Sequence, residues 1–225
     1  MKWAQTIDGQ VASAGKGKRR KWISNDKSRR DVHKLRRRSQ AILVGINTVI
    51  ADNPLLTARP SKGVKPIRIV MDSFLKIPPD CKLLKTTKQC PVMIYAGQFA
   101  VNKNPEILQT ISKTNAELFA YPDTHGISNI YHLLNELSRR GISQLLVEGG
   151  PTILTSFLAE SCADEIYVYI SPRIFGEHGA VNLAGPMSQL PHPIKLHHVN
   201  FKSFGDNVRI TGLTNKAVRE LGIAD

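Results

Sequence analysis

Short β-rich apolar runs recur along this chain, each separated from the next by a segment of helical or turn character. They are Ala41-Ile42-Leu43-Val44, Ile67-Arg68-Ile69-Val70-Met71, Val92-Met93-Ile94-Tyr95, Glu117-Leu118-Phe119-Ala120-Tyr121, Gln144-Leu145-Leu146-Val147 and Ile166-Tyr167-Val168-Tyr169-Ile170. The apolar continuity of several of them suits strands covered on both faces, as in a parallel sheet flanked by helices. The segments between them supply those helices. Ser24 or Asn25 can N-cap a helix running to about Ser39, with Val32 and Leu35 as its buried stripe. Ile127 to Arg140 puts Ile130, Leu133, Leu134 and Leu137 on one face and stops at Gly141. A third helix begins near Pro151 and buries Ile153, Leu154, Phe157 and Leu158. His197 to Gly212 reads instead as a hairpin turning at Gly205-Asp206-Asn207. The pattern predicts an α/β domain with a mostly parallel central sheet flanked by helices and an antiparallel C-terminal hairpin. With 225 residues and neither an internal repeat nor a long linker, a single domain over 1–225 is expected.

Charge is distributed unevenly. The net charge is +13, and residues 1–40 carry 13 Lys/Arg against Asp8, Asp26 and Asp31, a net +10. Such a field gathers anions at one face. A nucleic-acid backbone, a membrane surface or a small phosphorylated ligand would each answer to it. Part of the charge lies in the loop Lys16-Gly17-Lys18-Arg19-Arg20-Lys21. A second cluster lies on the helix that carries Arg29, Arg30, Lys34, Arg36, Arg37 and Arg38, where a solvated face is an equal reading. Only Trp3 and Trp22 accompany these charges as stacking platforms, which is thin support for nucleic acid. The longest apolar stretch, Ile42 to Ala51, is broken by Gly45 and Asn47 and is too short to span a membrane. No secretory signal is visible. Cys81, Cys90 and Cys162 cannot all pair and show no CxxC spacing, so a reducing, cytoplasmic setting is expected.

The sharpest local motif is Leu145-Leu146-Val147-Glu148-Gly149-Gly150-Pro151-Thr152. A buried strand delivers two glycines, then a proline at the first turn of a helix, where its missing N–H costs nothing. The glycines permit close backbone approach, and the helix-start N–H groups suit a phosphate or pyrophosphate. Glu148 stands at the strand's carboxyl end, the customary ligand position in such sheets. The competing reading is a plain βα turn. In Gly45 to Thr57, Thr48 and Asp52 become i, i+4 neighbours if one helical turn intervenes; Thr48 can cap that turn and Asp52 precede the bend at Asn53-Pro54. Gly15-Lys16-Gly17 fails as a P-loop, because position 10 is Gln and no Ser or Thr follows the lysine; a GxGxxG fingerprint is absent. No HExxH, no deaminase zinc motif and no GxSxG elbow occurs. His197-His198 would point its rings to opposite faces of a strand, which is unsuited to joint chelation. Metal catalysis and nucleophilic hydrolysis therefore lack a candidate. What remains is an anion-binding site that suits a borrowed cofactor.

Lys2-Trp3-Ala4-Gln5-Thr6-Ile7-Asp8-Gly9 resembles the opening of the reductase domain of bifunctional riboflavin biosynthesis proteins. The same domain is resembled by Trp22-Ile23-Ser24, by Arg29 to Arg36, by Ala41-Ile42-Leu43-Val44-Gly45 and by Asp52-Asn53-Pro54-Leu55-Leu56-Thr57-Ala58-Arg59. Val147-Glu148-Gly149-Gly150-Pro151-Thr152 and Asp164 to Pro172 extend the match to residues 1 to about 212. The deaminase half of those proteins has no counterpart here, so deamination is not expected of this chain. The resemblance implies a dihydrofolate-reductase-like fold and NADPH-dependent reduction of the ribosyl group of 5-amino-6-(5-phosphoribosylamino)uracil, a small phosphorylated pyrimidine, to its ribitylamino form. It implies a homodimer as well. Carried over by position, Ala4, Trp22, Thr48, Asp52 and Ser73 would contact NADPH, together with Gly150, Pro151, Thr152, Ile153, Leu154, Thr155 and Ser156. Arg20, Arg36, Leu56, Arg59 and Glu148 would hold the substrate, and Lys2 would polarise the reacting C1′. The physical reading agrees, since guanidinium forks suit a phosphate dianion. Two alternatives stand beside this one. The first is a related NADPH reductase acting on another pyrimidine or pterin. The second is a basic nucleic-acid-binding module built on residues 16–38, which would leave Gly149-Gly150-Pro151 without a role.

Overall fold

The computed structural model describes residues 1–13, 22–60, 63, 65–122 and 130–223. In chain order the strands are β1 (Lys2–Thr6), β2 (Gln10–Ser13), β3 (Ala41–Gly45), β4 (Ile67–Met71), β5 (Val92–Gly97), β6 (Ala116–Tyr121), β7 (Leu145–Val147), β8 (Glu165–Ser171), β9 (Gly179–Asn182), β10 (His197–Phe204) and β11 (Asn207–Leu213). The helices are α1 (Asp26–Arg38), α2 (Ile46–Asp52), α3 (Lys82–Lys85), α4 (Gln98–Lys103), α5 (Pro105–Ser112), α6 (Ile130–Arg139), α7 (Pro151–Ala159), α8 (Ala184–Met187) and α9 (Asn215–Leu221). The chain forms two compact units, one of residues His33–Val147 and one of Met1–Val32 with Glu148–Asp225.

The unit His33–Val147 is built on a parallel sheet of order β6-β5-β4-β3-β7. Every residue of β3 and of β5 is buried, the double-sided cover that their unbroken apolar runs predict. The chain moves outward from β3 through β4 and β5 to β6, then returns to lay β7 on the other side of β3. Strand order therefore reverses between β3 and β7, and the carboxyl ends there form the switch point at which such sheets take ligands. Tyr95 anchors the opposite flank, stacked on Tyr121 at 4.6 Å with its hydroxyl 2.8 Å from His132 Nδ1. Helix α6 ends as expected before Gly141, whose φ of +72° is the left-handed C-terminal stop. Helix α2 does form after β3, but its N-cap is Gly45, so Thr48 lies inside the helix and does not cap it.

In the other unit β1 pairs parallel with β8, and the hairpin β10–β11 adds antiparallel in the order β1-β8-β11-β10. A short antiparallel pair, β2–β9, stands apart from that ladder. The hairpin turns at Gly205, φ +69°, and Asp206. The expectation that His197 and His198 simply alternate across a strand does not hold. The register shifts between His197 and Asn200, His198 takes a left-handed φ of +48°, and His197 Nε2 lies 2.6 Å from Asn215 Oδ1. Helix α1 is capped by Asn25, whose side-chain oxygen accepts the Ser28 N–H at 2.9 Å. Helix α7 buries Leu154, Phe157 and Leu158 as expected, but its other buried positions are Pro151 and Thr155; Ile153 is only half-buried. The α/β architecture with its C-terminal antiparallel hairpin is otherwise the one expected. Among the described residues, no helix is long and apolar enough to cross a membrane.

Candidate active site

In the unit His33–Val147 the sequence-predicted cofactor residues Thr48, Asp52 and Ser73 all stand at the carboxyl edge of the parallel sheet. Thr48 and Asp52 are one turn apart on α2, which leaves β3 directly; Ser73 follows β4. The edge is stiffened by groups that sequence reasoning missed. Asp72 is buried, and its carboxylate accepts the backbone N–H groups of Lys76 at 2.8 Å and Ile77 at 2.7 Å. Burial pushes its pKa above the usual carboxylate value, and these two hydrogen bonds oppose the shift. Ser73 in turn accepts the Gly97 N–H through its carbonyl at 3.2 Å, which ties the loop after β4 to the end of β5. Asn53 takes a left-handed φ of +43°, and its side-chain oxygen accepts the Lys82 N–H at 2.7 Å.

The predicted substrate residues of this unit gather around one loop. Arg36 Nη1 donates to the Thr57 carbonyl at 3.2 Å, and His33 Nδ1 lies 3.1 Å from the same oxygen. Leu56 is buried with a φ of +50°, while Arg59 is exposed. Arg68 holds the base of this loop. Fully buried, it donates to Leu55 O at 3.2 Å, Thr86 Oγ1 at 2.7 Å, Thr86 O at 3.0 Å and Cys90 O. A guanidinium with this many fixed acceptors is a cross-brace, and burial lowers its pKa from the ordinary value. Its only sequence signal is a charge in the middle of an apolar run. His33 belongs to the run Arg29–Arg36, but its spacing gave no reason to assign it a role.

The other unit brings together Lys2, Ala4, Glu148 and the start of α7. Lys2 forms a parallel bridge with Glu148, and β1 pairs Lys2 with Tyr167 and Ala4 with Tyr169. Glu148 is 7% exposed. Beyond it, Gly150 caps α7 with an extended backbone and no side-chain hydrogen bond to the helix's first N–H groups. A Cβ built on Gly150 would meet nothing within 4 Å. Thr155 Oγ1 is buried without a hydrogen-bond partner in the same helix. An uncapped, open helix start of this kind fits the pyrophosphate of a dinucleotide. Of the residues Gly150 to Ser156, Thr152, Thr155 and Ser156 also line a cleft of about 450 Å³ with Glu160, Gly185, Pro186 and Gln189. Trp22 is 55% exposed, with the Arg29 guanidinium 5.0 Å over its ring. Arg20 lies outside the described residues.

Sequence reasoning also missed a buried polar network behind Lys2. The Tyr169 hydroxyl donates to Asp31 Oδ2 at 2.7 Å, and Arg209 Nη1 donates to the same oxygen at 2.6 Å. The Lys2 ammonium sits 5.7 Å over the Tyr169 ring. Burial, and next to it the Asp31 hydrogen bond, pushes the Tyr169 phenol well above its ordinary pKa, so it keeps its proton and donates it.

Comparison with known proteins places this chain in a family. The family model described as the RibD C-terminal domain matches residues 1–210. The chain is 34% identical over 212 residues to the riboflavin biosynthesis protein RibD of Aquifex aeolicus, covering 93% of this chain and 56% of that protein. It is 36% identical over 183 residues to the 2,5-diamino-6-ribosylamino-4(3H)-pyrimidinone 5′-phosphate reductase of Methanothermobacter thermautotrophicus, covering 80% of each. Among solved structures it is similar to a diaminohydroxyphosphoribosylaminopyrimidine deaminase/5-amino-6-(5-phosphoribosylamino)uracil reductase from Thermotoga maritima. That match has a TM-score of 0.71 and 28% identity, and it covers 95% of this chain and 55% of that one. The chain thus spans about half the length of the RibD proteins it matches. The fold is that of the solved RibD structures. This chain belongs to the RibD C-terminal domain family.

Proposed function

We propose that this chain is an NADPH-dependent reductase of riboflavin biosynthesis, converting the ribosyl group of 5-amino-6-(5-phosphoribosylamino)uracil to the ribitylamino product. The observation that carries the reading is the parallel bridge between Lys2 and Glu148 beside an uncapped helix start. Through the backbone it sets a lysine next to a residue with a buried carboxyl group and a pyrophosphate-suited turn, in a chain whose relatives include a named pyrimidinone phosphate reductase. Bound NADPH would supply the hydride, which adds to C1′ of the ring-opened sugar.

The chain's own residues position and polarise. The N–H groups at the start of α7, over Gly150, Pro151, Thr152, Ile153, Leu154, Thr155 and Ser156, would hold the dinucleotide. Ala4, Trp22, Thr48, Asp52 and Ser73 would contact its remaining parts. Arg20, Arg36 and Arg59 would take the substrate phosphate, with Leu56 against the substrate's apolar surface. Glu148 would accept hydrogen bonds from pyrimidine amino groups or ribose hydroxyls. The Lys2 ammonium would draw electron density from the C1′ centre as hydride arrives. Most of the rate then comes from holding the donor carbon against C1′. The chain would act as one reductase domain, as a homodimer, in the cytoplasm.

The 36% identity to a diaminopyrimidinone reductase favours a second reading in which the amino-bearing pyrimidine is the substrate. Reduced-nicotinamide absorbance, followed with each pyrimidine in turn, tests both. Steady oxidation with the uracil is the expected result. Oxidation with the diamino compound alone would move the assignment to the second reading, and oxidation with neither would overturn both.

A further inference from the structure

A lysine side chain is long, flexible and rich in rotamers, whereas a group that polarises a reacting carbon must be held to a fraction of an ångström. The structure provides what holds Lys2. Its ammonium stands 5.7 Å over the face of Tyr169, a fully buried ring on the neighbouring parallel strand. That ring cannot turn away, because its hydroxyl donates to Asp31 at 2.7 Å. Asp31, itself buried on α1, is fixed by Arg209 at 2.6 Å. The Asp31–Arg209 pair is neutral as a unit, so the network acts on Lys2 through the ring and adds no net charge. A phenol donating to a carboxylate also places more electron density on its ring, which strengthens the attraction for a cation at its face.

We propose that Tyr169, anchored by Asp31, is the positioning residue for Lys2: it holds the ammonium where the reacting C1′ is polarised. This rests on the assignment of Lys2 as the polarising group. It gives roles to residues of β8, α1 and β11 that otherwise read as core.

The test is a double-mutant cycle on the full chain, with Tyr169→Phe, Tyr169→Leu and Asp31→Asn made in the wild-type and Lys2→Met backgrounds. In the wild-type background Tyr169→Leu is expected to lower kcat about tenfold, the scale of one desolvated cation–π contact. KM for NADPH and for substrate should stay within about twofold. Tyr169→Phe and Asp31→Asn, which keep the ring but remove its anchor, should each lower kcat measurably, though by less than Tyr169→Leu. In the Lys2→Met background the loss from either Tyr169 substitution should vanish. Equal losses in both backgrounds would overturn the proposal, because a merely structural role acts whether or not Lys2 is present. If Lys2→Met turns over like wild type, the role of Lys2 falls and the positioning claim falls with it.

A second measurement does not depend on turnover. In reductively methylated protein, the Lys2 resonance, assigned by its loss in Lys2→Met, should be shifted upfield by the Tyr169 ring current. That shift should disappear in Tyr169→Leu. A Lys2 resonance that is unshifted from the start would overturn the proposal even if the reductase reading stands. A wild-type chain that oxidises no NADPH would remove the reductase reading, and with it the role of Lys2.

Discussion

At the scale of the residue, burial and charge decide which side chains matter. Glu148, at 7% exposure, has left water at the end of β7, and a carboxylate so placed acts strongly on whatever hydrogen-bond donors reach it. Glu148→Ala is expected to lower kcat/KM by roughly 10- to 100-fold, the scale of a hydrogen bond to a charged group, with Glu148→Gln in between. Arg59 is exposed, and its proposed work is on the phosphate; Arg59→Ala should raise KM for substrate and leave the cofactor's KM in place, which steady-state kinetics will separate. Asp72 bears on stability. Its pKa is raised by burial above the ordinary 3.8, so just above that pH the native state holds a proton that the unfolded chain has released. Stability therefore falls as pH rises from 3.8 through the native pKa, and is flat above it. Asp72→Asn should abolish that slope in urea midpoints measured across the acid range. Asp72→Ala, which leaves two N–H groups without their acceptor, should cost about 1–3 kcal/mol at neutral pH.

At the scale of the element, α1 is strapped to the C-terminal hairpin by polar groups. Asn207 Oδ1 accepts the Asn25 N–H at 2.8 Å and the Ser28 hydroxyl at 3.1 Å, and Asn25 Nδ2 donates to Phe204 O at 2.5 Å. Asn207→Ala is expected to destabilise the chain by about 1–3 kcal/mol in chemical denaturation. The exposed neighbour Lys202→Ala should stay within about 0.5 kcal/mol. Much at this level was legible in the sequence. The apolar runs marked the main strands, Asn25 marked the start of α1, and Gly141 and Gly205 marked a helix stop and a hairpin turn. The pair β2–β9 was not legible, because its strands are short and lack an apolar alternation. The shift at His197–His198 was hidden as well, since a bulge is a property of two strands and neither alone announces it.

At the scale of the whole molecule, the separations that defeat sequence reading are the long ones. Asp31 meets Tyr169 across 138 positions and Arg209 across 178, and no local period links them. Arg68 was equally hidden, because one charge in an apolar strand looks incidental until its acceptors are seen. The start of α7, by contrast, was readable as Gly149-Gly150-Pro151, since glycines before a helix-starting proline have a local physical meaning. The concentration of charge in the first forty residues also has a consequence for the molecule as a whole. If it serves small phosphorylated ligands, duplex DNA should bind no more tightly than expected of any basic protein, with affinity collapsing between low and physiological salt.

Isotope tracing shows whether hydride passes from the cofactor to C1′. The chain would be given NADPH deuterated at the transferring position of nicotinamide C4, with each face of the ring labelled in turn, and the ribitylamino product examined by NMR. A single deuteron at C1′ from one face only is the expected result. Product without deuterium from either face, or oxidation of the cofactor with no ribityl product, would exclude hydride transfer to C1′.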